Sequence, residues 1–226
     1  MVVCDGGCSR QDLGTTMHVM STMDLARAER EDLLALLESL SPQQWQHPSL
    51  CRGWRVHDVV AHVLSYDELS PLGLLRRFAA GRFTTDRTNA VGLAAYRDRS
   101  PEELVDLLRA HLTPSGLPAG LGGRIGLTDA LIHHQDIRRP LGLPRHIPAG
   151  RVTTALQTAL FAPVVRGILR VWDVRLIATD VDWSFGRGPE VRGPAESLLM
   201  TVAGRRGVLG QLSGPGLTRL TRRGTT

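Results

Sequence analysis

Aromatic side chains make up only 4% of this 226-residue chain, and cysteines number three. No apolar run approaches the ~18–20 residues that a membrane-spanning helix needs. The longest apolar stretches, such as residues 33–37, are broken by acids within a turn. Membrane passage by a helix is therefore not expected, and the partners expected exclude a membrane. Cys4, Cys8 and Cys51 are an odd set with no disulfide framework, which predicts reduced thiols in a cytoplasmic protein. Cys4 and Cys8 are spaced C-x-x-x-C, one residue off the usual metal knuckle, and no second pair follows.

Charge is the other bound. The net charge is +5 and the isoelectric point about 10.0, so an anionic partner is a possibility to test. The positive residues are arginines, scattered among acids up to about residue 110, with the most basic stretch at 205–223. With few aromatics, no helix-turn-helix pairing and no basic stripe, no specific nucleic-acid partner is expected. A composition rich in Arg and Ala fits a high-GC genome. Hydrophobic residues at 42% and charged residues at 22% describe an ordinary globular chain. Its length allows one large domain, or a bundle with a small appended domain. Residues 1–22 lack periodicity, an apolar segment and a cleavage pattern, and are expected to be a disordered leader or a mis-assigned start.

From residue 24 the patterning is helical. Leu25, Leu33, Leu34, Leu36, Leu37 and Leu40 predict an amphipathic helix that stops before Ser41-Pro42. A second helix is predicted over 54–70, interrupted at Pro71, with a helical continuation over 74–80. Residues 81–92 are polar and ambiguous. Ser100-Pro101-Glu102-Glu103 combines an N-cap serine, proline at the first position and a capping-box Glu, so a helix starts there. Further helices are predicted over 127–139 and 148–169, the last with a bend at Pro163. Residues 175–183 are β-rich, a turn is predicted at Gly186-Arg-Gly-Pro189, residues 190–192 form a short returning strand, and 194–206 is helical. The expected domains are the bundle, 23–168, and a small α+β unit, 169–226.

Eight histidines are present, and one on a helix face is more often a hydrogen-bonded core residue than a ligand. A constellation says more. His62 falls on the apolar side of its helix, where a buried imidazole needs a partner for each ring nitrogen. Asp129 and His133 stand four residues apart, about 40° around a helix axis, and can chelate one ion from adjacent turns. His134 lies roughly 140° from Asp129 and is assigned to the rim or to a supporting place behind the ligands. Asp136 either orients an imidazole or pairs with Arg138 or Arg139. Two imidazoles and one carboxylate leave a fourth position open, the catalytic rather than the structural zinc pattern. His and carboxylate also accept Ni, Fe or Mn.

Gly53-Trp54-Arg55-Val56-His57-Asp58-Val59-Val60-Ala61-His62 resembles the G-W-x-V-x-D-V-x-A-H element of the mycothiol-dependent maleylpyruvate isomerase family. Asp129-Ala-Leu-Ile-His133-His134-Gln-Asp136 is similar to that family's acid-x-x-x-His-x-x-Asp helix. Residues 178–183 and 193–205 resemble the tail of many actinobacterial members. The resemblance spans about residues 24–220. It implies a mainly α fold, a DinB-like four-helix bundle of up-down-down-up type, with a small C-terminal α+β extension. It implies a divalent metal, zinc foremost, on His62, Asp129 and His133, although the isomerase has Glu where this chain has Asp129. It also implies mycothiol as thiol cosubstrate, with Arg205 as the candidate catalytic residue, and Arg205 and His134 as cofactor contacts. The expected activity is that of an isomerase or S-transferase acting on a small electrophilic metabolite, in a monomer or homodimer. The alternative is a noncatalytic metal-binding bundle serving as an interaction or stress-response module.

Overall fold

The structure is a computed structural model that describes residues 20–222. The expectations for residues 1–19, Cys4 and Cys8 included, lie outside the described residues. The first helices are α1 (Thr22–Ser39), α2 (Pro42–Trp45), α3 (Val56–Leu64), α4 (Pro71–Ala80), α5 (Thr85–Tyr96) and α6 (Pro101–Ala110). They are followed by α7 (Arg124–Arg138), α8 (Ala149–Phe161) and α9 (Gly167–Val171). The tail holds β1 (Arg175–Ala178), β2 (Ser184–Gly186), β3 (Glu190–Gly193), α10 (Ala195–Val202) and α11 (Leu217–Arg222). The fold is mainly helical, as the sequence predicts.

Local chemistry sets the starts. Ser21 Oγ accepts the Asp24 N–H at 3.2 Å while the Asp24 carboxylate accepts the Ser21 N–H at 2.9 Å, closing a capping box on α1. Ser100 and Glu103 form the predicted box on α6. Three expectations are corrected. The helix predicted over 54–70 runs only over α3, and Ser70-Pro71 caps a separate α4. The ambiguous stretch at 81–92 holds the start of α5, which runs on to Tyr96. The helix predicted over 148–169 ends at Phe161, because Pro163 cannot continue it, and α9 starts afresh at Gly167.

α7 packs against α1, α3 and α8, while α6 packs against α1 and α3, so α1, α3, α6 and α7 surround one apolar core. Leu104 and Leu108 of α6 are fully buried in it. Truncating either to Ala would cost about 2–5 kcal/mol. A second core joins Leu131 and Ile132 of α7, the inner face of α8, β1, β3 and α10. α8 thus shares its core with the tail. In the sheet, ordered β2-β1-β3, Leu176 faces Phe185 across an antiparallel pair and Val191 across a parallel one. The strand expected to return at 190–192 instead runs alongside β1 in the same direction, because β2 takes the antiparallel place beside β1.

The end of α4 is unusual. Phe83 N–H donates to Phe78 O at 2.8 Å and Arg82 N–H to Ala79 O at 2.9 Å, the two bonds of a Schellman end. Glycine normally takes the left-handed position of that motif. Here Arg82 (φ 53°) and Phe83 (φ 57°) both adopt it. Each costs roughly 1–2 kcal/mol relative to an ordinary conformation.

Candidate metal centre

α3 and α7 carry the site. α3 is apolar on nearly every side, with Val56, Val59, Val60, Val63 and Leu64 buried, and His62 is buried among them. α7 is central, so its polar side chains must find partners inside the protein. Its N-terminus starts from Gly123, which is left-handed (φ 89°) and packs against Met23.

The structure brings His62, Asp129 and His133 together. One donor atom from each lies within 4.8 Å of the others. Asp129 Oδ1 is 3.6 Å from His62 Nε2 and 3.5 Å from His133 Nε2. Ligands ~2.0–2.2 Å from a tetrahedral zinc stand about 3.3–3.6 Å apart, so the donor set fits one ion with small adjustments. Asp129, one methylene shorter than Glu, reaches both rings. His62 Nδ1 is buried with no hydrogen-bond partner, an orphan that leaves the ring held mainly by packing. Asp129, 32% exposed at its side chain, is the solvent-facing member.

The surroundings fix the rings. His133 Nδ1–H donates to Asp136 Oδ2 at 2.9 Å, which leaves Nε2, once deprotonated, as the donor atom beside Asp129. Asp136 is fully buried and also receives the Cys51 thiol (3.1 Å) and Arg205 Nε (2.9 Å) and Nη2 (2.5 Å). Leu50 N–H donates to Asp136 O at 3.0 Å and ties the 47–55 loop to α7. The Trp54 ring covers both ligating rings, with centroids 5.1 Å from His62 and 6.4 Å from His133. Tyr66 meets His62 edge-on at 5.7 Å.

Electrostatics agree with a cation at this point. Burial pushes the His133 pKa down, but the charge of Asp129 and the bond to Asp136 outweigh it and raise it to about 10. Burial pushes Asp129 up, and the charge of His133 with the bond from His62 brings it down to about 2. Burial lowers His62, which stays neutral. Cys51, His133 and Asp136 form a second group of convergent donors. The guanidinium of Arg205 already supplies positive charge there, so this group braces His133 rather than holding a second ion.

Two assignments are corrected. His134 is not at the rim. It is fully buried on the α1 side, its Nδ1–H donating to Glu29 at 2.8 Å and its Nε2 accepting from Arg138 at 2.7 Å. Arg205, whose side chain is 22% exposed, binds Asp136 through Nε and Nη2 and donates from Nη1 to Ala203 O at 2.8 Å. Asp136 pairs with Arg205, not with Arg138 or Arg139, which serve His134 and Glu196. Sequence inspection missed Cys51 and Trp54 as parts of the site. Their signal was their place in the Cys51-Arg-Gly-Trp54 turn just before α3.

The family model described as "Mycothiol maleylpyruvate isomerase N-terminal domain" matches residues 26–138, which is 113 of the 226 residues. The chain belongs to this family. The match includes all three convergent residues and Asp136, and leaves Arg205 outside it. No curated protein is matched. Among solved structures, the mycothiol-dependent maleylpyruvate isomerase is similar over 86% of this chain and 91% of that chain, at 15% identity and a TM-score of 0.58. A histidine-to-alanine variant of that isomerase gives the same figures. At this identity the likeness establishes the fold, which in this family member includes the tail.

Proposed function

We propose that the chain is a metal- and mycothiol-dependent isomerase or S-transferase acting on a small electrophilic metabolite, carboxylate-bearing ones among the candidates. Zinc is the expected ion, held by His62, Asp129 and His133. The observation that carries the proposal is the convergence of three donor atoms within 4.8 Å at one end of a ligand set with a position to spare. When bound there, a divalent ion lowers the pKa of a thiol at the open position and keeps it as thiolate near neutral pH. The chain supplies the rest. Asp136 holds the His133 tautomer, and Arg205 and Cys51 hold Asp136. Trp54 keeps water off the back of both rings, and Asp129 faces the entrance. The family name supports mycothiol as the thiol. We place the protein in the cytoplasm, as a monomer or homodimer.

The test is elemental analysis of protein purified without a histidine tag, followed by turnover of maleylpyruvate and related electrophiles with and without mycothiol. Near-unit metal content and thiol-dependent turnover are expected. Metal-free protein rejects the site. A metal-loaded protein with no thiol-dependent turnover on any of them rejects the enzyme and leaves a noncatalytic metal-binding bundle.

A further inference from the structure

The α4–α5 hairpin has one committed face and one uncommitted face. Inside, Arg77 is the latch. Its Nη1 donates to Ser65 O at 2.8 Å and Ser65 Oγ at 3.0 Å, and its Nε donates to Thr88 O at 3.1 Å. Its guanidinium lies 3.9 Å over the Tyr66 ring. A Cβ at Gly92 would fall 1.6 Å from Arg77 Nη2, so that helix position is shaped around the arginine.

Outside, Leu72 (54% exposed) and Leu75 (58%) stand one turn apart on α4, and Phe83 (72%) projects at the tip. Arg76 on α4, Arg82 at the tip and Arg87 on α5 are exposed as well. None of these three joins an ion pair among the described residues. The single acid within residues 71–96 is Asp86. The tip holds Arg82 and Phe83 in tandem left-handed conformations, although glycine would relax it. A cationic side chain and an aromatic ring are thus kept in solvent at a conformational cost.

We propose that this face docks on an anionic lipid surface, with Leu72, Leu75 and Phe83 entering the headgroup boundary and the three arginines meeting lipid phosphates. Charge complementarity selects the occupant. A second copy of the chain would bring the same unpaired arginines against one another. A nucleic acid would use the arginines and leave the leucines in water. Among the described residues no helix is long and apolar enough to cross a membrane, and attachment to a surface needs none. It revises the sequence-based expectation of no membrane partner. The inference is independent of the catalytic proposal.

The test uses the full chain, sedimented with vesicles of phosphatidylcholine alone or with roughly one anionic phosphatidylglycerol in three. Retention by the anionic vesicles, weakened by salt, is expected. The triple variant Arg76→Ser, Arg82→Ser, Arg87→Ser and the double variant Leu75→Ser, Phe83→Ser should each bind about tenfold less. Phe83→Gly should also bind less, yet melt ~2–4 °C higher because the tip relaxes. That opposite pair of shifts separates docking from folding. Equal retention by both vesicle types overturns the proposal, as does retention unchanged by Phe83→Gly. Binding to duplex DNA and vesicles that responds only to the arginines assigns the face to polyanions instead. A dimer abolished by Phe83→Gly, without vesicle binding, assigns it to a second copy.

Discussion

His133 and His134 are neighbours on α7, and helix geometry turns them about 100° apart, so they face different chemistry. His133 lies between two carboxylates, Asp129 and Asp136, which raise its pKa to about 10 against the pull of burial. His134 is buried against Glu29, but the charges of Arg145 and Arg138 stand behind that carboxylate, and burial dominates to bring it down to about 4. Glu29 is held at about 2, with burial opposed by His134 and Arg145. Arg151 bonds to it as well, at 3.2 Å. The same residue type is thus poised for a cation in one place and locked neutral in the next. Burial lowers both; at His133 the carboxylates of Asp129 and Asp136 outweigh it, and at His134 the charges of Arg145 and Arg138 offset Glu29 so that burial prevails.

The sharpest way to break this contrast is to remove the ligands. Asp129→Ala and His133→Ala should each abolish near-unit metal content, whereas His134→Ala should retain it, as elemental analysis reads directly. Retention of metal by both ligand variants sinks the site. Asp136→Ala should weaken metal affinity about 10–100-fold, since it frees the His133 ring without removing a donor, and competition with a chelator measures this. Glu29→Gln works on the other side. It leaves Arg145 and Arg151 with the half-exposed Asp32 as their remaining acidic partner and should cost roughly 1–3 kcal/mol in a denaturant melt with metal content unchanged.

Acidity sharpens the comparison further. In metal-free protein His133 is protonated up to about pH 10, and a ligand must be neutral. Metal uptake near neutrality should therefore release about one proton, and apparent affinity should fall about tenfold per unit of lowered pH. Calorimetric zinc titrations in two buffers of different ionisation heat test this, and zero proton release contradicts it. For His134 the folded pKa, about 4, lies below its ordinary value of 6.5. Its contribution to stability is present above 6.5 and lost as pH falls toward 4. His134→Gln should give the smallest effect of the set, a flatter stability profile across that window.

The sequence carried the helical frame and the metal trio because both depend on short spacings. Asp129 and His133 are one turn apart, and His62 lies inside a long apolar face. The bracing was not legible, because Asp136 meets Arg205 across 69 residues and Cys51 across 85. Nor was the fate of His134, whose partner Glu29 is 105 residues away. Periodicity gave α7 but could not say which helices surround it. α5 escaped because its sequence is weakly amphipathic and carries Gly92, a residue that shapes room for Arg77 rather than favouring a helix. The parallel pairing of β1 with β3 escaped because alternation within a strand does not fix its neighbour's direction.

Asp136 gathers a loop from the first quarter of the chain and an arginine from its last tenth. Contacts so distant along the polypeptide are slow to close during folding, after local helices have formed. His133 is therefore oriented late, when the tail has arrived. On refolding, capture of the ion should trail the recovery of helical signal, so that metal is taken up tightly only by chains in which Cys51 and Arg205 have already reached Asp136.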